Sequence, residues 1–326
     1  LPLERAAQET EMDYRGKDMH GRNPPYRVLI NSIRSGAKPS DLPFLKTWRV
    51  FPASGILIGA STLYPGDNRT MCLILFAFRH HPRYPLLVAA NRDEFLERPT
   101  AAASFWDTTP PILAGRDLLC GGTWLGITGK GRFAALVNYR DPGSRKIDAP
   151  SRGSLVTEFL LSRAPSEDYL DILRKKAGFY SGFTLLFGDT DRLFCFSNQG
   201  ETPPLVQPGI HGLSNHLLDT PWPKVVRGKD RLKQLLSDDR EPEIEELLDL
   251  LSDRWLPEDH LLPNTGIGLE KERLLAPLFI SGAGYGTRSS TVLIIGLDGT
   301  ISFTERTWRG PPDHGTTVSH RFRIGE

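Results

Sequence analysis

Hydrophobic positions fall into two regimes along the 326-residue chain. Residues 1–70 are rich in proline, glycine, arginine and aspartate and hold no sustained helix or strand period, Ile56-Leu57-Ile58 being a short apolar island. This stretch reads as a disordered leader or upstream extension, and 71–326 as the folded domain. At Met71 the pattern changes. Cys72-Leu73-Ile74-Leu75-Phe76-Ala77-Phe78 reads as a buried strand, and Leu86-Leu87-Val88-Ala89-Ala90 as a second that runs on into Asn91-Arg92-Asp93-Glu94. The segment 80–85 between them, with two prolines, predicts a hairpin turn.

Further strands are predicted at 121–127 and 133–138, turning at Gly129-Lys130-Gly131, and at 183–187 and 193–197. Helices are predicted over 154–161, 167–176, 225–236 and 244–251. A closing hairpin pairs 290–295 with 301–305, and Asp298-Gly299 suits a two-residue turn. The order is strands, helices, strands, helices, strands, with hairpins dominant. It predicts an α+β fold with mainly antiparallel sheets and segregated helices, and a four-layer αββα sandwich fits it. No P-loop or GxGxxG follows a strand. Gly282-Ala283-Gly284-Tyr285-Gly286 lacks the helix a phosphate site needs.

Composition narrows the function classes. With 39% hydrophobic and 24% charged residues the domain is ordinary, and a formal net charge of +1 gives no field to draw nucleic acid. No apolar run of about 18 residues predicts a membrane span. Leu1-Pro2-Leu3-Glu4-Arg5 does not read as a signal peptide, and the first residue is not Met. The three cysteines, Cys72, Cys120 and Cys195, argue against a disulfide framework and for a reducing, cytoplasmic setting. No CxxC, HxxxH or HExxH occurs, so no metal site is expected, and His80-His81 reads as a solvated strand end. Cys120 and Cys195, beside apolar residues, are expected to be buried and inert. Trp124 and Trp222 read as core filling, and Pro221 and Pro223 as shaping the entry to a helix.

Cys72 is the sharpest candidate for chemistry. If translation starts at Met71 and Met is removed, Cys72 becomes the N-terminus. A free α-amine, with a reference pKa of about 7.7–8.0, can then act as base for its own thiol, whose pKa is about 8.5. An isolated cysteine on an apolar strand would otherwise read as core.

The surrounding blocks resemble the NRDE family, also called the transport and Golgi organisation protein 2 family. They are Met71-Cys72-Leu73-Ile74, Ala89-Ala90-Asn91-Arg92-Asp93-Glu94-Phe95, Arg98-Pro99-Thr100, Ala114-Gly115-Arg116-Asp117, Gly121-Gly122-Thr123-Trp124-Leu125-Gly126 and Asn138-Tyr139-Arg140. Later blocks are Gly212-Leu213-Ser214-Asn215, Asp219-Thr220-Pro221-Trp222-Pro223-Lys224 and 286–292. The resemblance spans 71–326 and leaves residues 1–70 outside. The family is similar in turn to the choloylglycine-hydrolase branch of N-terminal-nucleophile (Ntn) hydrolases, which implies an Ntn-type αββα sandwich. In that branch an Arg-Asn-x-Asp motif lies on the second strand. Asp93 falls on its Asp, while Ala90 replaces its Arg and a shifted role for Arg92 is open. The resemblance implies Cys72 as nucleophile, Asp93 orienting its amine, Asn215 with Asn138 binding an oxyanion, and Arg288 as a late arginine. Asn91 and Arg92 are supporting candidates. Each also has a plain structural reading, as strand-end cap, turn former or surface residue.

Two functions follow. One is a hydrolase acting on a linear amide or another acyl bond of a small molecule, with no cofactor. The other is a non-hydrolytic carrier of haem or acyl lipid on the same fold. By residue type, Cys72 and His80-His81 are the candidates for an axial haem ligand.

Overall fold

The computed structural model describes residues 72–200, 204–237, 241–308 and 315–325, with the backbone of Arg49–Val50 and Leu57–Ile58. The chain divides into two units, Leu1–Gly66 and Asp67–Glu326. In the first, the two dipeptides pair antiparallel. The leader expected over 1–70 otherwise lies outside the described residues.

The second unit holds two six-stranded sheets. Sheet I contains β1 (Cys72–Phe78), β2 (Leu86–Phe95), β9 (Gly209–Leu213), β10 (Tyr285–Ile295), β11 (Thr300–Thr307) and β12 (Thr316–Arg323), in the order β9-β1-β2-β10-β11-β12. Sheet II contains β3 (Thr100–Phe105), β4 (Ile112–Asp117), β5 (Leu125–Thr128), β6 (Phe133–Asn138), β7 (Phe183–Gly188) and β8 (Leu193–Ser197), in the order β8-β7-β6-β5-β4-β3. Every pairing within them is antiparallel.

Strand alternation sends successive side chains to opposite faces, and both faces of each sheet are covered. Ile74, Phe76, Val88, Leu293 and Phe303 of sheet I meet Leu113, Ile127, Phe133 and Leu186 of sheet II in the central core. The other face of sheet I, with Leu73, Leu75, Leu87 and Val292, packs under α3 (Pro223–Leu235) and α4 (Ile244–Leu251). The outer face of sheet II, with Ala134, Leu185 and Phe187, packs under α1 (Gly153–Leu161) and α2 (Ser166–Lys176). The layers are therefore αββα. Double coverage explains why all seven residues of β1 are buried and why its sequence reads as an unbroken apolar run.

Pro223 occupies the first position of α3, where its fixed φ suits a helix start. Gly228 lets that helix sit close to the sheet, since a Cβ there would meet Leu75 Cδ1 at 2.7 Å. A short helix, α5 (Leu269–Leu274), precedes β10.

Four sequence expectations change. Gly121–Thr123 lies outside the strand, which starts at Leu125. The closing hairpin turns through three residues, because Gly296 N–H donates to the Thr300 carbonyl at 2.8 Å and Gly299 takes a φ of 78°. A type I turn followed by a left-handed glycine has this form. Cys120 is exposed rather than buried, in the turn after β4, with Arg98 Nη2 donating to its sulfur at 3.3 Å. His81 is buried, stacked 4.8 Å from Tyr84, whereas its neighbour His80 is exposed.

Candidate functional site

Cys72 opens β1 with its side chain turned between the sheets, and 9% of the residue is exposed. Across the ladder it stands opposite Arg92 of β2. Alternation along β2 puts Arg92 and Glu94 on the Cys72 face and Asn91 and Asp93 on the helix face. Ala90 shares the face of Arg92, so the two positions differ by one step along the same side of the strand.

Arg92 lies flat over the Trp124 ring, 4.3 Å from its centre, and donates to Thr100 Oγ1 at 3.2 Å and Glu94 Oε2 at 3.4 Å. Arg98 grips Asp117 Oδ2 through Nε and Nη2 at 2.9 and 2.7 Å. Arg152, at the cap of α1, donates to the Gly182 carbonyl at 2.9 Å and feels the charges of Cys72 and Glu94. Burial lowers its pKa to about 10. Burial and the Asp93 charge together push the Cys72 thiol up to about 12, and Arg92 acts in the opposite direction. With residue 71 attached, the thiol therefore stays protonated at neutral pH.

Behind the sheet, Asp93 is 1% exposed. Its Oδ1 accepts from Thr287 Oγ1 at 2.6 Å, and among the described residues its Oδ2 accepts no hydrogen bond. Lys224, the second residue of α3, is 2% exposed, and its Nζ donates to none of the described residues. Burial raises the Asp93 carboxyl and lowers the Lys224 ammonium, and the opposite charge of each partner offsets this. Beside them Arg140 Nη1 donates to Glu272 Oε2 at 2.5 Å, both side chains being buried, and its guanidinium covers Trp222 at 4.5 Å.

The C-terminal end of β9 closes the site. Ser214 Oγ donates to the Cys72 carbonyl at 3.1 Å. Asn215 is fully buried with a φ of 51°, a conformation asparagine tolerates. Its Nδ2 donates to the Asn138 carbonyl at 2.8 Å, and its own carbonyl accepts from Arg140 N–H at 2.7 Å.

Of the residues singled out from sequence, Cys72, Arg92, Asp93, Asn138 and Asn215 converge on the start of β1. Asn91 points elsewhere: its Nδ2 donates to the carbonyls of Leu251 and Leu278, both at 2.8 Å, fastening the sheet to its helical layer. Arg288 sits at the bulge of β10 and donates to the Trp308 carbonyl at 2.8 Å. Lys224, Arg140, Glu272 and Arg152 were missed. The block Asp219–Lys224 carried a signal for Lys224, because a lysine straight after Trp-Pro at a helix start has no dipole reason to be there.

Glu305, on the inner face of β11, is 1% exposed, and its Oε1 accepts from Ala103 N–H at 2.7 Å. Burial raises its pKa from 4.5 to about 7. The folded state thus holds a proton that the unfolded state releases, so this group's stabilisation is complete below pH 4.5 and falls away as pH rises to about 7. That displacement corresponds to on the order of 3 kcal/mol. Glu305→Gln is expected to flatten the fall in melting temperature across this window, as scanning calorimetry from pH 4.5 to 7 would register. An unchanged slope would assign the pH dependence to other groups.

The class is thus an αββα sandwich whose first inner strand starts at a buried cysteine, with arginines on one face of the sheet and an aspartate–lysine pair behind it. The family follows from comparison with known proteins. The chain belongs to the Transport and Golgi organisation 2 family, whose model matches residues 71–310. The bovine Transport and Golgi organization protein 2 homolog is 38% identical over 275 residues, covering 78% of this chain and 99% of the bovine one. The human homolog is 37% identical over the same share of each, and the Drosophila melanogaster protein 31%, covering 78% of this chain and all of its own. Solved structures it is similar to include a mutant conjugated bile acid hydrolase from Clostridium perfringens. That match has a TM-score of 0.41 at 9% identity and covers 77% of this chain and 92% of the other. Another is the Caenorhabditis elegans ortholog of N-acylethanolamine-hydrolyzing acid amidase. Here the TM-score is 0.38 at 12% identity, over 68% of this chain and 92% of that one. Among the described residues no helix is long and apolar enough to cross a membrane.

Proposed function

We propose that this protein is an N-terminal cysteine hydrolase that cleaves a linear amide or another acyl bond of a small molecule, with Cys72 as nucleophile. The observation that carries the reading is the second oxygen of Asp93. It is a buried acceptor, unmatched among the described residues, behind the strand that Cys72 opens. A buried carboxylate oxygen left without a donor is expensive. A free α-ammonium on Cys72 supplies that donor.

The chemistry then balances. The Cys72 amine takes the thiol proton as sulfur adds to the substrate carbonyl, forming the C–S bond. Asn215 and Asn138 donate to the resulting oxyanion, and Arg92 stabilises the developing thiolate. The amine returns its proton to the leaving nitrogen or oxygen as the C–N or C–O bond breaks. Water then cleaves the acyl-enzyme with the amine again as base. Arg288, held by the Trp308 carbonyl, keeps the bulge beside Thr287 and so the Asp93–Thr287 contact in place. In a chain that retains residue 71 the Cys72 nitrogen is an amide and cannot perform these steps, so the reading requires a chain that begins at Cys72.

A haem carrier is less well supported by these residues. The ends of β1 are about 20 Å apart, so Cys72 and His80-His81 do not converge on one iron. His81 Nδ1 already accepts from Arg83 N–H at 3.2 Å.

The test compares a chain starting at Cys72 with its Cys72→Ala variant on a panel of acyl amides, esters and thioesters. Loss of turnover by on the order of a thousandfold or more is expected, with the melting temperature preserved. Equal turnover by the two proteins would remove Cys72 from the chemistry.

A further inference from the structure

Asp93 and Lys224 are two buried groups of opposite sign. Asp93 leaves one oxygen unmatched and Lys224 leaves its whole ammonium unmatched among the described residues. The position of Lys224 is unfavourable in three ways. It is desolvated, it lies in the first turn of α3 where the helix dipole is positive, and a second cation, Arg140, stands nearby. A hydrophobic residue would fill the same place at less cost.

The groups acting on Lys224 come from four segments of the chain. Asp93 of β2 is the strongest, followed by Arg140 beyond β6, Cys72 of β1 and Glu272 of α5. Glu272 is already bound to Arg140 and accepts from Thr265 N–H at 3.0 Å and Thr265 Oγ1 at 2.5 Å. Asp93 in turn is held by Thr287 of β10 and also feels Arg92. Arg140 further feels Tyr285 and covers Trp222, which contacts His216 at 5.5 Å between ring centres. Among the described residues that act on Lys224, Asp93 is therefore the carboxylate that the Arg140–Glu272 pair does not already occupy.

We propose that Lys224 is a positioning residue of the Cys72 centre: its buried ammonium is the counter-charge to Asp93, and the pair sets the protonation of the Cys72 amine. This rests on the hydrolase reading only in taking the amine as free. Asp93 alone would stabilise the ammonium form and leave the base occupied by a proton at neutral pH. Lys224 cancels that field, so the amine is neutral when the thiol needs it. Asp93 keeps its orienting contact while losing much of its effect on the amine's basicity.

The experiment uses the chain starting at Cys72, with the exposed Cys120 replaced by serine so that Cys72 is the thiol followed. This chain is a sound folding unit: the bovine relative aligns over 99% of its own length with 78% of the present chain, and among the described residues the four apolar cores lie between residues 72 and 322. The rate of Cys72 alkylation by iodoacetamide is measured against pH, by mass spectrometry. Where a panel substrate turns over, the acidic limb of kcat/KM is measured as well. Lys224→Met is expected to move the midpoint to higher pH by about one unit, about tenfold in rate below it, and Lys224→Arg to restore it. Asp93→Asn is expected to move it to lower pH. It decides the matter by itself if Lys224→Met does not fold.

A uniform loss of rate at all pH values, with the midpoint fixed in both variants, would overturn the proposal and leave Lys224 a packing residue. The hydrolase reading fails separately, by absence of turnover in a protein whose alkylation profile still responds to Lys224.

Discussion

Arg140→Ala is expected to destabilise the folded protein by on the order of 3–5 kcal/mol, a fall of about 10 °C in melting temperature for a domain of this size. The reason lies in what the substitution leaves behind. Arg140 and Glu272 are 2% and 3% exposed at the side chain, and their 2.5 Å contact is the principal compensation for burying either. With the guanidinium gone, the Glu272 carboxylate keeps the Thr265 donors alone among the described residues, and Trp222 loses the cation over its ring. The loss is that of a buried carboxylate stripped of its cation. Arg140→Met combined with Glu272→Gln should recover much of it, since no uncompensated charge then remains buried. Urea unfolding of the two single variants and the double variant measures all of this. Additive losses in the double variant would show that the two side chains do not act as a pair.

How far the sequence revealed this arrangement depends on the range of the interactions involved. β1, β2, β6 and β7 were legible because coverage on both faces turns them into apolar runs. β3, β4, β9 and β12 were not anticipated. Thr100–Phe105 is an edge strand with one buried side chain, and Thr316–Arg323 is another edge with none, only Val318 and Phe322 packing partly against the core. Such segments take their conformation from a partner strand rather than from their own pattern. The hairpin between β1 and β2 brings Cys72 within reach of Arg92 and Asp93, and twenty residues of sequence suffice to show it. Lys224 reaches the same point from a helix some 150 residues away, and its place against the dipole in the first turn of α3 is the local signal the sequence offers. Cys120 was misjudged because Leu118 and Leu119 look like core. Yet Leu118 is 58% exposed, and the local fold is the Asp117 turn, whose Oδ1 accepts from the Leu119 and Cys120 amides.

Adding a single glycine ahead of Cys72 is expected to lower turnover by about 10²–10⁴-fold while leaving the melting temperature unchanged. The two readouts separate because they depend on different atoms. Folding depends on the Cys72 side chain in the central core, on the ladder with β2, and on the Cys72 carbonyl that accepts from Ser214. None of these needs the nitrogen to be an amine. Catalysis as proposed needs exactly that nitrogen's lone pair, which an amide delocalises away. The thiol, at about 12 in the chain as folded with residue 71 attached, then has no internal base to lift its proton. Asp93 does not replace it, because its side chain points to the helix face of the sheet and is held there by Thr287. N-terminal sequencing and intact mass confirm which species is assayed. If the glycine-extended chain turned over as fast as the one starting at Cys72, the base would have to be another group near the start of β1.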